Sequence, residues 1–458
     1  MPVSVNEARF FGQTDSETIQ NAIEYAVTEG DGIVTIPRFN LRTGKPIRII
    51  DQSILLPSDI TILLEGAHLR QADGVIENIF RNQNAWTELG NTVEGEQHNI
   101  RIIGVGNTIL DGGLPNGMCE QLLRDNPGKY PSMLHNVPIL LHNVRDFEIR
   151  GIRFVDARYW AVTLMYCRWG RASELDFRMY GTLENQDGID LRIGCEFITV
   201  ENITGITGDD TVALTALPAK TDQATGGLTV RGKSVDIHDI TIRNIISASH
   251  GNHLLRFLNE NGAKLYNVTV TDVKDTGEAI SGAAIIFGTV DPYLMKNPHA
   301  QGDFKNITVR NVISHAQRAL DICEPCENLL IENVVADAGT EMAIRIRENF
   351  HAENVTIRDL VFTPSEAADS FSDTFCPQEN LRGLRIENVR AENIDYLYRG
   401  LALSVNGLTA DDPRKAIVTS EHASLASAYG RYFRTAYGKV ITNRPKDNRF
   451  QENAKSKQ

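Results

Sequence analysis

Ile307-Thr308-Val309-Arg310-Asn311, followed by Leu329-Leu330-Ile331-Glu332-Asn333 and Val355-Thr356-Ile357-Arg358-Asp359, decides the fold. Each copy reads apolar, any, apolar, any, then Asn or Asp. Alternation with a period of two sends one side of a strand into a core. The β-branched residues suit such a half-buried, pleated surface. The same phrase, with Gly allowed at the fifth place, recurs at Phe147–Gly151, Ile198–Asn202, Ile240–Asn244, Val268–Asp272 and Leu384–Asn388.

The copies start 22 residues apart from 307 to 329, 26 from 329 to 355, 29 from 355 to 384 and 28 from 240 to 268. A recurring period of this size marks a solenoid, whose repeats contact only their neighbours. The longer intervals, 42 residues from 198 to 240 and 39 from 268 to 307, read as one coil carrying a loop insertion. A leucine-rich repeat would need a leucine consensus that is missing, and no helical periodicity separates the strands. The expectation is an all-β, right-handed parallel β-helix of about ten coils. It forms one domain over residues 1–440, with an N-terminal cap at 14–30 and a polar tail at 441–458. In the cap, Ile19, Ala22, Ile23, Ala26 and Val27 follow amphipathic helical spacing. Asp15 or Ser16 is placed to cap that helix.

Composition narrows the class. The 458 residues carry a formal charge of −13, which disfavours nucleic acid as a partner. No apolar run is long enough for a membrane span. The start lacks the order of a signal peptide, so a cytoplasmic location is expected. Six cysteines are too sparse for a disulfide scaffold, and the lone Cys323-Glu-Pro-Cys326 reads as buried core rather than a metal or redox site.

The sharpest chemical signal is Asn185-Gln186-Asp187-Gly188-Ile189-Asp190, followed by Gly208-Asp209-Asp210. Asp187 and Asp209 are 22 residues apart, close to one coil. Adjacent coils of a parallel sheet lie about 4.8 Å apart, so the acids should gather on one patch and face solvent. Crowded carboxylates repel, and at least one keeps its proton near neutrality. A protonated acid beside an ionised base can cleave a glycosidic bond. Asp-Gly and Asn ladders also simply build turns, and clustered carboxylates also bind Ca²⁺. His250, in Ser249-His250-Gly251, lies 40 residues after Asp210 and would stack on the same face once the loop at 216–234 is set aside.

Together these segments resemble glycoside hydrolase family 28, the polygalacturonase family of the pectin-lyase-like β-helix fold. The resemblance runs from the Glu17–Ile23 helix to about residue 290. It includes Gly106–Gly112 and the Tyr159-Trp160 pair. It implies an inverting hydrolase in which Asp209 protonates the leaving oxygen, Asp187 and Asp210 activate water, His250 supports the acid, and Asn185 contacts substrate. Inversion further implies a gap of about 6.5–9.5 Å between acid and base. Asp190, Arg256, Tyr293 and Arg345 are the further substrate-binding candidates.

The family's Arg-Ile-Lys, one coil after the histidine, is absent. That coil reads Gly282–Gly288 without a cation, and Arg345-Ile346-Arg347 follows about two coils too late. A neutral sugar is therefore as open as a uronate. Insertions at 112–137, 216–234 and 288–304 are expected to wall the acidic face and favour exo-action on oligosaccharides. The expected partner is an oligo- or polysaccharide, with no cofactor, no metal, no nucleic acid and no membrane; the sequence assigns no oligomeric state. The alternatives are a β-helix polysaccharide lyase, an enzyme acting on dextran or fructan, and a non-catalytic glycan-binding solenoid such as a phage adhesin.

Overall fold

A computed structural model describes residues 2–419, apart from 114–117, 182, 219–227, 261, 290–299, 338–339, 348, 365–367, 373–375, 377, 393, 397–398, 401–404 and 411–417. The chain forms two compact units, residues 1–269 and 270–458. Each unit is built from right-handed parallel β-helix coils, the hand that parallel crossovers take.

In the first unit, long bent strands stack on one side: Gln97–Val105, Val144–Val155, Arg168–Arg178, Glu196–Thr207 and Ile237–Ser249. They are parallel and in register, so Phe147, Gly170, Ile198 and Ile240 form one column and Ile149, Ala172, Val200 and Ile242 the next. Short strands complete the coils: Phe80–Asn82, Ile139–His142, Val162–Met165, Ile189–Arg192, Val212–Ala216 and His253–Asn259. The second unit repeats the scheme. Its bent strands are Phe304–Ser314, Cys326–Ala336, Ala352–Phe362 and Leu384–Ala391, and its short strands include Ala283–Phe287, Arg318–Ile322 and Met342–Ile346.

The fifth residue of the repeated phrase is the corner of the coil. Asn202, Asn244, Asn311, Asn333, Asp359 and Asn388 all have φ between +53° and +60°. Asn and Asp tolerate this left-handed conformation. Their side chains then bond up the stack: Asn244 Nδ2 donates to Asn202 Oδ1 at 2.8 Å, and Asn333 Nδ2 to Asn311 Oδ1 at 2.8 Å.

One coil escapes the phrase. Arg168–Arg178 occupies a full rung but reads Gly170-x-Ala172-x-Glu174, with Glu174 at the corner at φ +56°. Gly170 is required there because the Phe147 ring of the coil below fills its Cβ position, 1.9 Å from Cε1. A large residue on one rung thus removes the expected residue from the next.

The N-terminal helix spans Asp15–Thr28, and Ile19, Ala22, Ile23 and Ala26 are buried as expected. Two details differ. The cap is Thr14, whose hydroxyl accepts from Glu17 N at 3.2 Å. Asp15 and Ser16 instead accept from the backbone of Ile49 and Asp51, tying the helix to the first coils. Val27 is 45% exposed, although Ala26 beside it is fully buried. A short strand, Val3–Ser4, pairs with Ile33–Pro37 ahead of the helix and carried no sequence signal.

All six cysteines are free, and five, including Cys323 and Cys326, are buried. Among the described residues no helix is long and apolar enough to cross a membrane. The tail at 441–458 lies outside the described residues.

Gly170→Val should cost about 1–3 kcal/mol of stability in urea denaturation through overpacking, with Phe147→Ala in the same chain recovering part of the loss.

Candidate functional site

The acids sit where the bent strand of a coil gives way to the short one. Ile189 pairs with Val212, and Val212 with Leu255. The backbone bonds at the same corner continue that register: Gly188 N donates to Asp210 O at 2.9 Å, and Thr211 N to His253 O at 2.9 Å. Asp187, Asp210 and His253 therefore form one column. Asp209 aligns with Gln186, to whose carbonyl its N–H donates at 3.2 Å. The true offset is one residue longer than the 22 read from the sequence, yet the cluster forms. One oxygen each of Asp187, Asp209 and Asp210 lie within 4.8 Å of one another.

These acids do not face solvent as expected. Asp187 and Asp210 are 4% and 3% exposed, and Asp209 is half-buried. The short strands around them are buried on both faces, because the chain folds back over their outer side. Met133 and Leu134 of one insertion and Leu228 and Val230 of another pack there against Tyr159, Trp160 and Ile193. The Tyr159 and Trp160 rings stack at 4.5 Å, and the Arg192 guanidinium lies 4.6 Å from the Trp160 ring centroid. Arg192 also donates to Thr215 Oγ1 at 2.7 Å.

Charge separates the neighbours Asp209 and Asp210. Burial would raise Asp210, but the guanidinium of Arg256 on Oδ2 and the His253 ring on Oδ1 at 2.8 Å outweigh it and bring it to about 2. Ala213 sits between Asp190 and Arg256 in the ladder. Asp209 is pushed up to about 7, first by burial and then by the Asp210 charge. Asp187 is raised well above the ordinary range by burial, then by Asp209. Asp190 is raised by burial, partly offset by Arg192. Asp187 Oδ1 and Asp190 Oδ2 are buried without a hydrogen-bond partner.

The other expected residues fall as follows. His250 is exposed and lies over Gly181, where an added Cβ would meet its Cγ at 2.5 Å. Among the described residues its ring makes no hydrogen bond to a carboxylate; His253, three residues on and directly above Asp210, does. A count from Asp210 along the register, rather than from the Ser-His-Gly phrase, would have found it. Arg256 is not left open for substrate but is bound to Asp210. Asn185, at φ +55°, donates to Glu120 of the insertion. Arg345 belongs to the second unit, where it pairs with Asp321. Tyr293 lies outside the described residues.

The gap of about 6.5–9.5 Å implied for inversion is one between whole carboxyl groups, whereas one oxygen of each acid here lies within 4.8 Å of the others. A hard cation would accept such spacing. Both Asp210 oxygens are already engaged, however, and the Arg256 charge opposes a divalent ion beside it.

Asp210 has a lower pKa folded than its ordinary 3.8, so its stabilising contribution is present above that value and lost as pH falls through about 2. Asp209 has the opposite sign. The folded chain holds a proton that the unfolded chain releases, so stability declines as pH rises from 3.8 to about 7. Asp209→Asn should therefore raise the melting temperature at pH above 7. Arg256→Gln should cost about 3–5 kcal/mol in urea denaturation at the same pH, by leaving Asp210 buried and unpaired.

No protein-family model matches the chain, and no curated protein matches it in sequence. Solved structures do resemble it in fold. A family 28 exopolygalacturonase of Yersinia enterocolitica aligns at 13% identity over 89% of this chain and 78% of that one, with a TM-score of 0.50. A tailspike protein variant of E. coli bacteriophage HK620 aligns at 13% identity over 90% and 76%, with a TM-score of 0.56. A related variant of that tailspike, in complex with a hexasaccharide, aligns at 12% over 89% and 77%, with a TM-score of 0.53. The chain shares the pectin-lyase-like parallel β-helix fold with these proteins.

Proposed function

We propose that the chain is a glycoside hydrolase acting on an oligo- or polysaccharide through Asp187, Asp209 and Asp210. The observation that carries this reading is the opposite protonation of two adjacent carboxyls: Asp209 near 7 and Asp210 near 2. An acid poised near neutrality next to a fixed carboxylate is what protonation of a glycosidic oxygen requires.

In the proposed step Asp209 gives its proton to the leaving oxygen as the bond to the anomeric carbon breaks. A water attacks that carbon and passes its proton to the Asp187–Asp210 pair. The partnerless Oδ1 of Asp187 is available to orient that water. Asp210, held ionised by Arg256 and His253, stabilises the positive charge that develops on the sugar. Asp187 is raised by burial and then by the Asp209 charge, and the proposed step uses the form in which Asp209 is protonated and Asp187 ionised. Inversion rests on the family resemblance and gains nothing from the oxygen spacing.

The insertion packed over the Tyr159–Trp160 side favours a site closed on that side, and with it release of terminal sugars. A saccharide ligand is consistent with the hexasaccharide bound by the HK620 tailspike. The deep burial of Asp187 and Asp210 favours a second reading, a glycan-binding solenoid without turnover.

A reducing-sugar screen over oligosaccharides separates the two. The hydrolase reading expects turnover that falls by about 10²–10⁴-fold in Asp209→Asn with folding intact. The rate should also fall as pH rises through about 7, where Asp209 loses its proton. Binding without turnover, unchanged by Asp209→Asn, would leave only the second reading. Chelation by EDTA should not alter the rate, whereas ultraviolet-absorbing unsaturated products would identify a lyase. Early product NMR reads the anomer released and so decides between inversion and retention.

A further inference from the structure

The insertion that carries Met133 and Leu134 has a fixed part and a tethered part. Met133 and Leu134 are buried in the apolar cluster with Tyr159 and Trp160. Side chains of the coils staple the base. Asn78 Nδ2 donates to Leu134 O and Val137 O, each at 2.8 Å. Asn136 donates to Met118 O at 2.6 Å and accepts from Arg158 Nη1 at 3.3 Å. Residues 119–132 loop out between these fixed points and carry the helix Glu120–Asp125. No residue of that helix is buried, and Leu123 is partly buried against the cluster.

The helix is fastened to the acid site by polar side chains. Glu120 accepts from Asn185 Nδ2, and Arg124 donates to Glu184. Among the described residues these are the two places where its side chains hydrogen-bond outside the insertion. Glu184 and Asn185 run directly into Gln186 and Asp187. The Glu120 charge also reaches the aromatic wall of the site. Tyr159 is pushed up first by burial and then by Glu120, with Asp187 and Asp190 adding to it. Glu120 thus stands beside the acids and occupies Asn185, the residue expected to contact substrate.

This fastening is weak. Arg124 and Glu184 are 43% and 64% exposed at their side chains, where an ion pair contributes little and salt screens it. The acids behind it are closed in, with Asp187 and Asp210 4% and 3% exposed. A saccharide that reaches them has to displace part of their surroundings. Met133, Leu134, Leu228 and Val230 are anchored by apolar burial. Among the described residues around the site, the helix Glu120–Asp125 is held with the least of it.

We infer that residues 119–132 form a lid over the acid site, closed by the contacts of Glu120 with Asn185 and Arg124 with Glu184. In the closed state Glu120 holds Asn185, and a sugar oxygen takes its place when the lid lifts. The staples at Met118 and Asn136 let the segment swing while the coils stay in register. The inference rests on the proposed use of the site by a saccharide, for binding or for turnover alike. Lids of this kind gate access and exclude water from the chemistry.

Hydrogen exchange and carboxyl labelling of the full chain test the lid without substrate. Arg124→Gln should speed amide exchange over residues 119–132 by about two- to fivefold, the change that loss of one exposed ion pair makes in an opening equilibrium. Exchange over Ile189–Arg192 should stay as it is. Labelling of Asp187 and Asp209 by a water-soluble carbodiimide with glycinamide, read by peptide mapping, should rise by the same factor. Glu184→Gln should reproduce both effects from the other side of the contact. Sodium chloride at about 1 M should do so in the native chain and add nothing to Arg124→Gln. Labelling of the acids that stays constant while exchange over 119–132 rises would overturn the inference, as would exchange there that ignores both variants. Neither readout needs catalysis. A chain that responds as predicted but releases no reducing sugar keeps the lid and loses the hydrolase; one that hydrolyses saccharide without the response does the reverse.

Discussion

The structure depends on the in-register stacking of coils through parallel backbone hydrogen bonds. Each coil is a rung, and a residue's place on its rung fixes what lies directly above and below it. The corners hold that register. Asn and Asp accept the left-handed backbone that turns the chain and then bond to the same corner on the next coil, as Asn244 does to Asn202. A slip of one residue would send every buried side chain to the wrong face. The site inherits its geometry from this constraint. Asp187, Asp210 and His253 are far apart in sequence and meet because the ladder places them in one column.

The electrostatics follow from the same column. Asp210 lies beneath His253 and within reach of Arg256, so its charge is anchored. Asp209, one position earlier, has no cationic side chain bonded to it; burial and the anchored charge beside it outweigh the more distant Arg256 and the backbone N–H groups of Asp210 and Asn185. Two chemically identical side chains next to each other in sequence are thereby driven apart.

Much of this was legible in the sequence because a solenoid writes its fold as a repeat. The alternation and the Asn or Asp at the fifth position gave the strands and the corners, and the acidic phrases one coil apart gave the cluster. What stayed hidden was what depends on side chains of neighbouring rungs. The coil at Arg168–Arg178 lost its phrase to the Phe147 ring. His253 was passed over for His250 because register runs through the loop at 216–234, whose length blurs the count. Burial of the acids was invisible because it comes from insertions packing on the outside of the sheet, and no periodicity encodes that contact.

The central claim is that Asp209 and Asp210, side by side, hold opposite protonation states. Carbon-13 NMR titration of the aspartate carboxyls measures this directly. The account predicts one carboxyl that titrates near 7 and is missing in Asp209→Asn, and another that stays ionised down to about pH 2. If both titrate together in the ordinary carboxylate range, the polarised pair does not exist and the chemistry assigned to it falls.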